Sequence, residues 1–227
     1  MRLFLGMLVF MQVLGCVRTK EPTVHVSYKY KTYEGRKVWI KGGHGTGFFV
    51  SRRGYIVTAA HVISEGLGSS RSVWVHPNGP KRPRRLAQVV EADFGNDLAL
   101  LKIFPSSTHK VYKFCSEVQP DEVVIVKAWR HPKKETTIGH TLKPRASINS
   151  FLYSWIAAWS YPGFSGSPVV SHSQGCVVGV LTHRGLKGDA GTSYVKHPQD
   201  SQIMLRALKK HAPKSVPDIT YKPKAKP

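Results

Sequence analysis

The sequence contains little cysteine and no hydrophobic run long enough to cross a membrane. Three cysteines in 227 residues are too few for the disulfide framework of a small secreted scaffold. The longest apolar run extends over 13 residues, from Leu3 to Gly15, whereas a membrane-spanning helix needs about 20. A run of this length is typical of a signal-peptide core. We therefore expect residues 1–21 to direct or anchor the protein and to take no part in its fold.

Acidic residues are also scarce. The chain has 13 Asp and Glu against 34 Lys and Arg, which gives a formal charge of +21. A surface this basic attracts polyanions, so RNA or an anionic membrane is a predicted partner. The clusters Lys81–Arg85 and Lys127–Lys134 contain few aromatic residues and would contact a phosphate backbone at most. The alternative is that scattered lysines only keep the protein soluble.

Internal repeats and heptads are absent, which excludes solenoids and coiled coils. Apolar residues make up 41% of the chain, enough to bury a core. Short β-type segments separated by turn residues predict an all-β barrel or sandwich in a single domain over residues 22–212. A short amphipathic helix is predicted over 198–211, followed by a basic Pro/Lys tail at 213–227. The predicted strands are 47–51, 55–58, 72–76, 87–91, 98–104, 123–128, 150–159, 168–171 and 176–182.

Three segments place a reactive side chain beside a predicted strand: Tyr55–Val62, Gly95–Ile103 and Tyr161–Val170. They contain His61, Asp97 and Ser165. A serine hydroxyl becomes a good nucleophile when a histidine removes its proton, and the histidine needs a carboxylate to fix its tautomer. These three residues are therefore the predicted catalytic triad.

Glycines surround the predicted nucleophile. Gly163 and Gly166 allow backbone angles that point successive N–H groups at a developing oxyanion. We assign the oxyanion hole to the N–H groups of Gly163 and Ser165. Asp97 precedes the apolar run Leu98–Leu101, so its carboxylate should lie at the start of a buried strand, where it needs a partner such as His61.

The order of the three residues is histidine, aspartate, serine, whereas an α/β-hydrolase places its serine first. These segments resemble those of trypsin-like serine peptidases, including the HtrA group, over about residues 37–210. The resemblance implies a serine endopeptidase of the chymotrypsin-like fold with two six-stranded antiparallel β-barrels. Barrel 1, at about residues 24–112, would carry His61 and Asp97. Barrel 2, at about 113–200, would carry Ser165.

Within this superfamily, the block Ser160–Pro168 followed by Val177–Thr182 resembles the proteases of sobemovirus-like and other positive-strand RNA viruses. That resemblance implies a membrane-associated enzyme that processes a viral polyprotein in a host cell. Leu181 stands where many viral relatives have a pocket histidine, and Trp159 stands where trypsin has an acidic residue. Neither viral Glu/Gln preference nor tryptic Lys/Arg preference is therefore expected. Ser160, Thr182 and His183 are the candidate pocket residues, with ordinary strand residues as the alternative.

No cofactor is expected, because acyl transfer by serine needs none, and no paired histidine spacing predicts a metal site. Two alternatives stay open at this point. One is a bacterial secreted or lipid-anchored HtrA-like peptidase, since Val13–Cys16 resembles a lipobox. The other is a catalytically weak RNA-binding protein on the same fold. Cys115 and Cys176 could form a disulfide or stay reduced.

Overall fold

The computed structural model describes residues 22–64, 72–104, 109–130, 132–148, 151–184 and 192–217. The predicted signal or anchor segment 1–21, with Cys16, lies outside these residues, as does the tail beyond residue 217. Within the described residues, no helix has the length and apolar character needed to cross a membrane.

Barrel 1 is a closed ring of six antiparallel strands in the order β1-β2-β3-β6-β5-β4, and β4 pairs with β1 to close it. Its apolar residues form strands because alternate side chains point inward; Val24 and Val26 of β1 are both fully buried. In β6, four successive apolar residues are buried, since this strand packs on both faces. The strands are β1 Thr23–Glu34, β2 Lys37–Phe49, β3 Tyr55–Thr58, β4 Ser72–His76, β5 Arg85–Asp93 and β6 Leu98–Lys102, with a one-turn helix α1, His61–Ser64, after β3.

Barrel 2 is a second closed ring in the order β10-β11-β12-β9-β8-β7, closed by pairing of β10 with β7. β7 buries Val124, Val126 and Ala128 in the alternating pattern of a strand with one face on a core. The strands are β7 Val123–Arg130, β8 Lys133–Ile148, β9 Phe151–Ala157, β10 Pro168–Ser171, β11 Val177–Arg184 and β12 Thr192–Lys196. The predicted chymotrypsin-like fold class is confirmed.

A shared apolar core fixes the two barrels against each other. It combines Phe48 and Leu100 of barrel 1 with Val180 of barrel 2. Helix α2, Gln202–His211, covers this core with Met204 and Leu208. Burial of each such side chain contributes about 1.5–3 kcal/mol. The catalytic segments of the two barrels are therefore held in one geometry.

Local bonds set the ends of the C-terminal helices. The hydroxyl of Ser201 accepts from the N–H of Met204 at 3.0 Å, which caps α2. A short 3₁₀ helix, Pro198–Asp200, precedes it, and another, Pro213–Ser215, follows. Ser215 is buried, and its carbonyl accepts from the N–H of Phe114 at 2.8 Å.

A disulfide joins Cys115 and Cys176, whose Cα atoms are 5.1 Å apart. It links the segment before β7 to the start of β11. The sequence allowed either a disulfide or two reduced cysteines, and the structure contains the disulfide.

Candidate active site

His61 lies at the first residue of α1, directly after the buried pair Ala59 and Ala60. The N–H of Ala60 donates to the carbonyl of Asp97 at 3.1 Å. This backbone bond ties the segment that carries His61 to the turn that carries Asp97. The two side chains therefore approach each other from fixed positions.

The Asp97 carboxylate holds His61 through two hydrogen bonds. Its Oδ1 accepts from the backbone N–H of His61 at 2.8 Å, and its Oδ2 lies 2.7 Å from the ring Nδ1. An ionised carboxylate can only accept, so the proton resides on Nδ1 and Nε2 stays basic. Asp97 adopts a left-handed φ of 54°, which aspartate tolerates better than most residues.

A buried polar network supports the turn that carries Asp97. Asp93 accepts from the backbone and side-chain N–H groups of Asn96 at 3.0 and 2.8 Å, and also from the Ser201 hydroxyl. Burial alone would raise the pKa of Asp93, but these hydrogen bonds lower it below its usual value. From barrel 2, the fully buried Lys196 donates to the Asn96 side chain at 3.4 Å.

Lys196 is a buried cation behind the site. Burial lowers its pKa, and the nearby carboxylates of Asp200, Asp93 and Asp97 oppose that shift. An ammonium group is retained in such a place when polar partners surround it. Sequence reasoning missed this residue, because Lys196 appeared as one of many lysines in a basic chain.

Ser165 lies in a turn between two glycines of positive φ, Gly163 at 98° and Gly166 at 84°. A Cβ on Gly166 would lie 2.0 Å from the carbonyl oxygen of Thr46, so this position accepts only glycine. The carbonyl of Ser165 accepts from the N–H of Thr46 at 2.8 Å. The turn is thereby fixed against barrel 1.

Thr46 bridges the two barrels beneath this turn. Its hydroxyl donates to the carbonyl of Gly163 at 2.9 Å and accepts from the N–H of Trp129 at 2.8 Å. Thr46 is fully buried. Sequence reasoning missed it, because a threonine in a glycine-rich strand carries no motif of its own.

The hydroxyl of Ser165 donates to the carbonyl of Thr182 at 3.3 Å. Among the described residues, no hydrogen bond joins it to His61. Hydrogen bonds of this kind are often loose in ligand-free sites and tighten when substrate binds. A rotation about the Cα–Cβ bond of Ser165 would redirect its oxygen.

The predicted oxyanion hole has two available donors. Within the part of the chain that the structure describes, the N–H groups of Gly163 and Ser165 donate to no backbone carbonyl. Gly163 is buried and packs closely, since a Cβ there would lie 2.7 Å from the Trp129 carbonyl oxygen. Two adjacent N–H groups of this kind can bind an alkoxide oxygen.

The predicted pocket residues differ in what they present. Thr182 is buried and offers its carbonyl to Ser165. The Ser160 hydroxyl accepts from that of Ser193 at 3.0 Å. His183 is exposed beside His61, with 5.3 Å between the ring centroids. All three residues therefore lie on the β11 and β12 side of the site, away from β2.

His183 also approaches the triad carboxylate, with its Nδ1 3.8 Å from Oδ2 of Asp97. Although the His183 side chain is largely exposed, partial desolvation of its ring lowers its pKa; the Asp97 carboxylate opposes this shift, and His61 adds to it. Ligand atoms of His61, Asp97 and His183 lie within 4.8 Å of one another, a spacing that could hold a metal ion. Such an ion would compete with the His61–Asp97 hydrogen bond. No local sequence pattern indicates this group, because its members are far apart in the chain.

Comparison with known proteins bears directly on this geometry. The family model of the trypsin-like peptidase domain matches residues 45–180, a range that contains His61, Asp97 and Ser165. The chain belongs to the trypsin-like peptidase domain family. The matched range also contains Gly163 and the β2 residue Thr46, and it ends two residues before Thr182.

Two relatives of this peptidase domain are bacterial. The uncharacterized protein y4bJ of Sinorhizobium fredii is 32% identical over 177 residues, which cover 74% of this chain and 26% of that protein. The match thus spans about a quarter of the relative's length. The crystal structure of the Rv3671c protease from M. tuberculosis, in its active form, superposes with a TM-score of 0.62 at 24% identity. It covers 84% of this chain and 81% of the other, and at that identity it supports the fold alone.

Proposed function

We propose that this peptidase domain is a serine endopeptidase that forms an acyl-enzyme on Ser165. The observation that carries the proposal is the doubly hydrogen-bonded pair of Asp97 and His61. It faces a glycine-flanked serine on the other barrel. The family match supports the same chemistry.

In the proposed reaction, Oγ of Ser165 attacks the carbonyl carbon of the scissile bond while Nε2 of His61 takes its proton. Asp97 stabilises the imidazolium that forms. The N–H groups of Gly163 and Ser165 bind the oxyanion. The intermediate collapses as His61 protonates the leaving amine, and a water molecule then hydrolyses the ester with His61 again as the base.

The test compares the full-length wild type with Ser165→Ala on a diverse peptide library, read by mass spectrometry. We expect cuts by the wild type, and a loss of about 10⁴-fold or more in the variant. Ser167→Ala is the matched control, because it removes a neighbouring buried hydroxyl without touching the proposed nucleophile. Equal cleavage by Ser165→Ala and wild type would refute the assignment.

A second measurement detects the reactive serine even if the library contains no peptide that the enzyme cuts. A fluorophosphonate probe should label the wild type and Ser167→Ala, but not Ser165→Ala. A wild type that neither cuts nor reacts, yet binds RNA, would instead support the catalytically weak RNA-binding protein.

The biological setting stays a prediction. Within this proposal, the bacterial origin of the 32% identical relative favours the bacterial envelope enzyme over viral polyprotein processing. Mass spectrometry of the mature N-terminus would test this alternative. Lipid on Cys16 supports the envelope enzyme, and an intact Met1 terminus contradicts it.

A further inference from the structure

A large cleft opens beside the turn that carries Ser165. Its volume is about 1250 Å³. Pro162 lines it, next to Gly163, and so does His44, whose Nε2 lies 3.3 Å from the point where a Cβ of Gly163 would stand. The cleft therefore borders Gly163, which carries one proposed oxyanion donor, although Gly163 and Ser165 are not among its lining residues.

The lining of this cleft is strongly basic and contains no aspartate or glutamate among the described residues. We call it the basic cleft. Its cations are Lys29, Lys41, Lys81, Arg82, Arg84 and Arg130, and all six are exposed. Like charges gathered on the walls of a concave surface focus a positive potential into it.

Two of these guanidinium groups are held in place by aromatic rings. Arg84 lies 4.1 Å from the ring centroid of Trp74, and Arg130 lies 4.4 Å from that of Tyr161. Stacking of this kind orders an arginine before a ligand arrives. It also covers the ring faces on which nucleic-acid bases would stack. The cleft thus suits carboxylates on a peptide better than the bases of RNA.

The position of the basic cleft relates it to one end of a bound substrate. The leaving nitrogen must take its proton from His61, which belongs to barrel 1. The walls formed by β1, β2 and the turn at residues 80–84 also belong to barrel 1. Thr182 and His183, which belong to β11, do not line the cleft. The cleft therefore suits the leaving segment of a substrate, and β11 suits the acyl segment.

We propose that the basic cleft selects substrates that carry aspartate or glutamate in the few residues after the scissile bond. This inference rests on the proposed peptidase function and names its substrate class. Because the cations are exposed, the preference should be electrostatic and should weaken as salt screens it.

The test uses two quenched fluorescent peptides built on one sequence that the wild type cuts. They are identical before the cut, and the three following residues are Asp/Glu in one and Asn/Gln in the other. We expect kcat/KM to be about tenfold higher for the acidic peptide at low ionic strength, and the difference to shrink at 0.5 M salt. Equal kcat/KM for the two peptides at low ionic strength would overturn the proposal.

Charge reversal assigns the preference to the cleft. The double variant Lys81→Glu/Arg82→Glu should abolish the preference for the acidic peptide over the neutral one. The matched control is Lys209→Glu/Lys210→Glu, which reverses two exposed charges on α2, outside the cleft. It should retain the preference. If both double variants lose the preference for the acidic peptide, the net charge of the protein and not the basic cleft is responsible for it.

A binding measurement separates failure of this inference from failure of the proposed function. Fluorescence anisotropy with Ser165→Ala should show tighter binding of the acidic peptide than of the neutral one, whether or not the wild type turns over. The same assay with a labelled single-stranded RNA tests the other ligand class. Binding of RNA but not of acidic peptide, lost in Lys81→Glu/Arg82→Glu, would reject the inference.

Discussion

Barrel 1 and barrel 2 hold their parts of the site in different ways. In barrel 1, the Asp97 carboxylate bonds to the backbone N–H and the ring Nδ1 of His61 at 2.8 and 2.7 Å, and the Asp97 carbonyl accepts from the N–H of Ala60. In barrel 2, the nucleophile depends on the conformations of two glycines, and its oxygen points to Thr182. His61 is thus oriented in the free protein, whereas the Ser165 hydroxyl is bonded to the Thr182 carbonyl and not to His61.

The shared bridge explains why the two halves still act together. Thr46 of barrel 1 bonds to Gly163 and Trp129 of barrel 2, and Lys196 of barrel 2 bonds to Asn96 of barrel 1. Each half is therefore braced by a buried polar group from the other barrel. Buried groups of this kind must be paired, so the relative position of the barrels is specified as well as stabilised.

The largest effect on activity should come from changing the Asp97–His61 pair of barrel 1. Asp97→Asn keeps the shape and the left-handed backbone but can donate to Nδ1 of His61, which favours the wrong tautomer. We expect kcat/KM to fall by about 10⁴-fold with little change in stability. Steady-state cleavage and thermal melting would measure both quantities.

Asp121→Asn is the matched control for this variant, because Asp121 also has a positive φ, 55°, but lies away from the site before β7. It should retain full activity. A loss of kcat/KM below tenfold in Asp97→Asn would show that the two Asp97–His61 hydrogen bonds are structural and do not set the tautomer of His61.

A smaller effect on activity should come from changing the glycine turn that carries Ser165 in barrel 2. Gly163→Ala places a Cβ 2.7 Å from the Trp129 carbonyl oxygen at a φ of 98°. The peptide must shift, and an oxyanion donor is misplaced. Loss of one such donor costs about 10²–10³-fold in kcat.

Gly175→Ala is the control for backbone strain alone. Its φ is also positive, 69°, but a Cβ there meets nothing within 4 Å. This variant should lose some stability and keep kcat. Equal kcat in the two variants would mean that the geometry at Gly163 does not matter for catalysis.

Strand length and burial explain which strands could be predicted from the sequence. The segments around β3, β4 and β10 have the bounds predicted from their apolar residues and turn signals, because each is short and buried. β1, β8 and β12 were missed, since β1 and β8 are long and rich in polar residues, and Lys196 made β12 look like surface. Local motifs alone predict the candidate catalytic residues His61, Asp97 and Ser165.

The contacts that position those residues could not be found in this way. The bonds made by Thr46, Lys196 and His183 join residues that are distant in the chain, and local patterns do not encode such pairs. The pairing of Cys115 with Cys176 is of the same kind, because two cysteines permit a bond but only the fold brings their Cα atoms to 5.1 Å. The basic cleft likewise collects cations from β1, β2, β7 and the turn at residues 80–84.

The smallest effect concerns the end of barrel 2 far from the site. The Glu122 carboxylate accepts from Ser171, from Ser173 at 2.8 Å and from Gln174 at 3.3 Å. Burial alone would raise its pKa, but these hydrogen bonds lower it below the usual value of 4.5. A lowered folded-state pKa means that the folded protein gains stability above the unfolded pKa and loses it as the pH falls through the folded one.

Glu122→Gln should therefore weaken the dependence of the free energy of unfolding on pH at acid pH, without changing activity. We expect the free energy of unfolding to be about 1 kcal/mol lower than wild type at neutral pH, a value reduced for partial exposure. That gap should close as the pH falls through the usual carboxyl pKa and then through the lowered folded-state pKa. Urea titrations at several pH values would measure it, with the exposed Glu117→Gln as control. A gap that is the same at every pH would show that packing, and not the carboxylate's charge, holds this end of barrel 2 together.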